Sequence, residues 1–358
     1  MNLLLFLICI LILFALPLLP ALLELEFPSD NEPLRIVQEY DTDIRHFATG
    51  FKSYLKKRFE NFSFATFAEG TLEDGSSYQM VGQSSAPVLD THEYIVGTTS
   101  RLILASEPLH LPEHVAFENE VYGGKTIRTG RGGRYRAVLA ESDLQLAENT
   151  TVLRWMHSGA TLRAEVNCRL FGRASADNTM HIAEGCRFER LNAPVIYFGN
   201  AEEMPLLPDA TQLTPLKMPE HISFVYKNRW VVEDDLHVPP RSIFEGDLIA
   251  TRDVFIGEGS IIKGGVKANR HLSLGAGVSI EGSVVATENL FIDRHCRIHG
   301  PIIAEDRIVI ANGSVIGRQD RPTTVTAPVI EIAPEVTVFG SVWALDSALV
   351  AQPQGAIA

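Results

Sequence analysis

Four short constellations in this chain hold residue types capable of chemistry. His295 and His299 flank Cys296, the imidazole and thiolate donors of a soft metal site. Gly123-Gly124-Lys125-Thr126 reproduces the end of a phosphate-cradling loop, where backbone N–H groups and a lysine hold the anion. Arg128, Arg131, Arg134 and Arg136 crowd into RTGRGGRYR, a basic patch with the charge to hold a phosphate or an acidic glycan. His157, His237 and His271 stand singly, and a lone imidazole is the side chain that most often serves as a general base.

What these residues can do depends on the elements that hold them, and those elements are written in a repeat. From residue 236 one pattern returns every 18 residues. Leu236, Val254, Leu272, Leu290 and Ile308 form one column, and Val238, Ile256, Leu274, Ile292 and Ile310 a second. Phe244, Ile262, Ile280, Ile298 and Ile316 form a third. Ala250, Ala268, Ala286 and Ala304 make a column of small residues, while Gly246, Gly264, Gly282 and Gly300 mark a corner where a sharp turn calls for φ > 0. The apolar residues fall in pairs two apart, and the pairs recur every six residues. Side chains two apart share one face of a strand. Each repeat is therefore three short strands bent into a triangular coil, and successive coils stack as parallel strands about 4.8 Å apart. The expected fold is mainly β, a β-helix solenoid with 18-residue coils.

The same period occurs earlier, so the solenoid is expected in two blocks. Leu144, Leu162 and Met180 align, as do Leu146, Ala164 and Ile182, then Val152, Leu170 and Phe188. Leu109, Val115, Val121 and Ile127 keep the six-residue step until the glycine-rich stretch 130–133 interrupts it. After Ile316 the pattern resumes at Ile330, Ile332, Val336 and Val338, displaced by a loop of four residues around Arg318–Pro322. The proline-rich segment 199–229 reads as a connecting loop.

This register decides the chemistry. Cys296 and Ile298 point inward while His295 and His299 point outward, about 13 Å apart along an extended chain, so no metal is expected. Asn119 stands where the phosphate loop needs glycine, and Ile127 continues a strand where a helix is required. The arginine patch reads as a solvated break between coils. No Ser/His/Asp set has positional support, because solenoid spacing scatters such residues. Cys168 and Cys186 share an inward column with Thr150, and Cys296 is also inward, the setting of reduced thiols used as small apolar filler. No catalytic, cofactor-binding or metal residue is assigned. A net charge of −13 argues against nucleic acid as a partner.

Leu3–Leu23 is 21 residues without a charge, long enough for a transmembrane helix. It lacks the basic start and small-residue cleavage site of a signal peptide. A retained single-pass anchor at 1–25 is the expectation, with the bulk of the chain on the periplasmic side of a bacterial membrane. Leu34, Val37, Tyr40, Ile44, Phe47, Phe51, Leu55 and Phe59 then recur at helical spacing, predicting an amphipathic helix within 31–65 whose apolar stripe caps the first coil. The expected layout continues with a first β-helix block over 86–198, the loop 199–229, a second block over 230–345 and a tail over 346–358.

The second block resembles the bactofilins, polymer-forming bacterial cytoskeletal proteins, in GDLIATRDVFIGEGSIIKG, GVKANRHLSLGAGVSIEG and GSVVATENLFIDRHCRIHG. The resemblance implies a β-helix that associates end to end at the membrane, binding no nucleotide and catalysing nothing. The implied function is a membrane-anchored scaffold whose partners are itself, the membrane and envelope-assembly proteins. Val336, Val338, Phe339 and Val342, in the last coil, are the candidates for the self-association contact, since a terminal coil has no further neighbour. The alternative is a hexapeptide-repeat acyltransferase acting on an envelope saccharide, similar in hexads such as Ile256-Gly257-Glu258-Gly259-Ser260-Ile261; His271 would be its base.

Overall fold

The computed structural model describes residues 45–59, 68–72, 75–81, 97–199, 213–218, 222–226 and 228–351. These hold 33 strands in one continuous sheet and a single helix, His46–Arg58. Leu236 pairs with Val254, Val254 with Leu272, Leu272 with Leu290 and Leu290 with Ile308, every step parallel. The inward columns are almost wholly buried, from Leu248 and Ile262 through Ile280 to Ile316. Each coil therefore covers its apolar face only against the coils above and below it.

Ile308 pairs with Ile330, four residues beyond the repeat step, and Arg318 and Arg321 bridge the turn that holds the extra residues. The corner glycines serve contact more than φ, and Gly246 alone of the four has a positive φ. A Cβ at Gly264 would lie 2.1 Å from the Gly246 carbonyl oxygen, and one at Gly300 would lie 2.4 Å from that of Gly282. Left-handed backbone sits instead at a different corner, at Arg241, Gly259, Gly277, His295 and Gly313. That corner also has a ladder of small donors. Ser260 Oγ, Cys296 Sγ and Ser314 Oγ donate to the carbonyls of Pro239, Gly275 and Asp293, each 21 residues back, at 3.0–3.2 Å. Cys168 and Cys186 do the same in the first block, donating to Ala147 and Glu165. The cysteines are free, and burial pushes the Cys296 thiol up to about 12. Cys296 is thus a neutral donor as well as filler, because a buried corner carbonyl needs a partner.

The first block has the same coil. Leu144, Leu162 and Met180 pair in sequence, and Leu109 pairs with Ile127. Residues 130–133 form one of its corners instead of a break: Arg134 pairs with Ala116 before it and Thr151 after it. Gly130 is needed there, since a Cβ would lie 1.9 Å from the Pro112 carbonyl oxygen.

The two blocks join last coil to last coil. Arg187–Phe198 and Thr337–Val350, the longest strands, each wrap all three faces, and they pair antiparallel. The solenoid is therefore continuous while its chain direction reverses at this seam. Each block ends in an antiparallel hairpin on the corresponding face: Ala68–Thr71 with Ser77–Val81 in the first, and Ile222–Tyr226 with Arg229–Val232 in the second.

Several expected boundaries move. The helix spans His46–Arg58, and the part expected before residue 45 lies outside the described residues, as does the anchor at 1–25. Among the described residues no helix is long and apolar enough to cross a membrane. Strand pairing carries the first block back to Ala68, through Ser77–Val81 and Leu102–Ala105. Strands at Thr214–Pro215 and Ile222–Tyr226 fall inside the segment expected as loop, and the last strand runs through 346–350, expected as tail. Nor does the helix cap the first coil. It lies along one side, because the outward positions Leu102, Leu104, Tyr122, Ala137, Leu139 and Trp155 of successive coils are apolar and Leu55, fully buried, packs against them. A helix of 13 residues is roughly 20 Å long, enough to cross about four coils.

Candidate assembly interface

The seam holds all four residues assigned to self-association. Val336, Val338 and Val342 are completely buried and Phe339 is half-buried. Val342 faces Leu191 and Val338 faces Ile196 across the antiparallel ladder, with both first-block partners fully buried. Backbone bonds close both edges: Phe198 N–H donates to Val336 O at 3.0 Å, Glu335 N–H to Phe198 O at 2.7 Å, and Gly185 N–H to Val350 O at 2.8 Å. Asn192 Nδ2 donates to Ser341 Oγ at 2.8 Å, and the Phe188 and Phe198 rings stack at 5.8 Å inside. The neighbour of this terminal coil is the chain's own first block.

The opposite end of the second block differs. Leu236–Val238 has a ladder partner on one side alone among the described residues. Leu236 N–H donates to Asp253 O, and Val238 O accepts from Gly257 N–H, so both face the next coil. Alternation turns the His237 N–H and C=O toward the open edge. Residues 225–319 match the family model of bactofilin, described as polymer-forming cytoskeletal. That stretch is a bactofilin-like domain. No curated protein and no solved structure matches the chain. The bactofilin domain covers the regular coils and stops short of the seam strand, which begins at Thr337.

Within the bactofilin domain the residues with chemical potential are engaged in the stack. His271 Nε2 lies 3.1 Å from Glu288 Oε2, and its Nδ1 lies 3.3 Å from Asn289 Nδ2. His295 takes the left-handed corner, and Cys296 is buried with its thiol donated. His237 stacks flat on Phe255 at 4.8 Å. In the first block, Lys125 meets Glu107 at 2.5 Å, and the strand Ile127–Arg128 follows it directly. Arg131 pairs with Glu148 and Arg136 with Glu120.

The repeat also gathers a set that sequence reading had scattered. His157 and Ser175 are 18 residues apart and adjacent in register, so His157 Nδ1 lies 2.9 Å from Ser175 Oγ. Its Nε2 lies 3.9 Å from Asp177 Oδ2. The 18-residue difference in numbering was the available signal. This is the residue set of a nucleophilic triad, but Ser175 is 2% exposed and His157 3%, so neither meets substrate. The helix closes over them. Lys52 holds Glu141 at 2.6 Å, Arg45 reaches Asp177 at 3.6 Å, and Tyr122 OH donates to Glu141 at 3.4 Å. Burial and Glu141 push the Tyr122 phenol up to about 12, and burial holds His157 below its ordinary value. The cluster is a latch between helix and sheet.

Proposed function

We propose that this chain is a membrane-anchored scaffold that self-associates through the first coil of its bactofilin domain, at the bacterial cell envelope. The observation that carries the reading is the polymer-forming family match over 225–319, on coils whose far end is occupied by the chain's own first block. The run Leu3–Leu23 supports the anchor, and the remainder would lie on the periplasmic side, where envelope-assembly proteins are reachable partners. In this reading Val336, Val338, Phe339 and Val342 make an internal copy of the end-to-end contact. The contact between molecules falls to the edge at Leu236–Val238.

Proline tests this directly. His237→Pro removes an edge N–H without touching the bonds that Leu236 and Val238 make to the next coil. Full-length protein in mild detergent should form larger assemblies by sedimentation velocity and electron microscopy, and His237→Pro should reduce them to the smallest species. Assemblies of parental size in the variant would refute the edge contact.

A further inference from the structure

Among the described residues, the first block carries arginines that pair with no carboxylate. Arg169 pairs with Arg187 across adjacent coils, and Arg173 with Arg190. Arg134 precedes Arg169 by two coils in the same outward column, with Thr151 between them, and Arg154 is exposed at the adjoining corner. Like charges opposed on neighbouring strands work against folding. The second block avoids this arrangement: Lys263 pairs with Glu245, Arg229 with Asp247 and Arg252 with Asp234, each one coil away. Among the described residues, none of the six first-block arginines has a carboxylate partner; Arg173 lies 5.0 Å over the Phe47 ring.

Between the two arginine rows the corner itself is apolar. Leu153 and Phe171 stand in successive coils at 37% exposure, and Leu345 follows at 60% where the second seam strand turns opposite Glu189. The carboxylates on this edge are Glu118, Asp346 and Glu189, whose Oε2 accepts from Gly172 N–H at 2.9 Å. Past the seam the same edge is net acidic, since Asp234, Asp235, Asp253, Glu288, Glu305 and Asp306 outnumber Arg252, Arg270 and Arg307 at its corners.

We propose that this ridge docks on a bilayer rich in anionic lipid. Phe171 and Leu153 enter the headgroup layer while the flanking arginines meet lipid phosphates. An apolar crest between two cationic rows suits an interface with an apolar interior and an anionic skin. A nucleic acid has no use for the crest, and the acidic edge beyond the seam would repel a long polyanion. The surface is independent of the anchor reading, which concerns residues 1–25.

The test separates the two. Full-length protein is floated with vesicles of phosphatidylcholine alone, and with vesicles in which about a quarter of the lipid is phosphatidylglycerol. Binding through an apolar anchor appears on both. The ridge predicts an additional anionic-dependent increment, screened by high salt. Each arginine at an anionic surface contributes about fivefold, so Arg169→Glu with Arg187→Glu should cut that increment at least ~25-fold. Phe171→Ser should lower it further at fixed charge, and Arg252→Glu in the second block should leave it unchanged. If the double reversal fails to fold, as judged by thermal melting, Arg169→Gln with Arg187→Gln takes its place under the same criterion. A parent that binds both vesicles equally overturns the proposal. So does a folded ridge variant that keeps the increment; an acidic protein would then be the partner to seek.

Discussion

The two blocks are built from one coil but use its outer surface differently. In the second block Arg229, Arg252 and Lys263 each find a carboxylate one coil away. In the first block one outer face is apolar and takes the helix, and one edge stacks arginine on arginine. The inward columns of the two are equally buried. The lesson is that inward positions determine the solenoid and outward positions determine what it meets. A regular, self-neutralised surface suits assembly through ends, whereas a surface carrying uncovered charge and a docked helix suits contact along the side.

The comparison breaks most sharply at the seam. Val342→Asp buries an unpaired carboxylate against Leu191, at a cost of about 4 kcal/mol or more, and should split one unfolding endotherm into two, one for each block. A single cooperative transition in calorimetry would mean that the blocks are not coupled through this contact. Next in size is the helix. Leu55→Ala leaves a cavity over Leu102, Leu104 and Leu139 and should cost about 3 kcal/mol, felt in hydrogen exchange of the first block and not the second.

A smaller effect follows from His157. Its burial favours the neutral ring, so the unfolded chain takes up the proton first as the pH falls. Asp177 and Glu141 favour the charged ring, while Lys52 and Arg45 oppose it. First-block stability should therefore be whole above about pH 6.5, and should decline as the pH drops from there toward the depressed folded value. His157→Asn should flatten that decline in thermal melts, and an unchanged slope would assign it to other groups. The smallest effects should have opposite signs. Arg270→Ala, which leaves Asp253 and Glu288, should lower the melting point slightly; Arg187→Ala, which relieves Arg169, should raise it slightly.

Inward columns were legible because their period is strict. Leu236, Val254 and Leu272 were aligned in print and are aligned in the ladder, and the displacement after Ile316 is the four-residue turn at Arg318–Arg321. Residues with two functions were less legible. Cys296 reads as filler because an inward position says nothing about the carbonyl 21 residues back that its thiol meets. The glycine corner reads as a matter of φ, when the constraint at Gly264 is the backbone of the coil below. His157, Ser175 and Asp177 read as scattered because their adjacency emerges only when the 18-residue period is carried from apolar to polar residues.

By itself, then, the sequence determined the coil, its period and what lies inside it, because burial and a spacing of two are local rules that every repeat states again. Only the tertiary structure decided which way each block runs and what covers it. The terminal strands Arg187–Phe198 and Thr337–Val350 carry the same alternating pattern as any other coil, and such a pattern is satisfied equally by a parallel neighbour, an antiparallel one or a second molecule. That choice rests on pairing between residues some 150 positions apart in the chain, Asn192 with Ser341 among them, to which no local period extends.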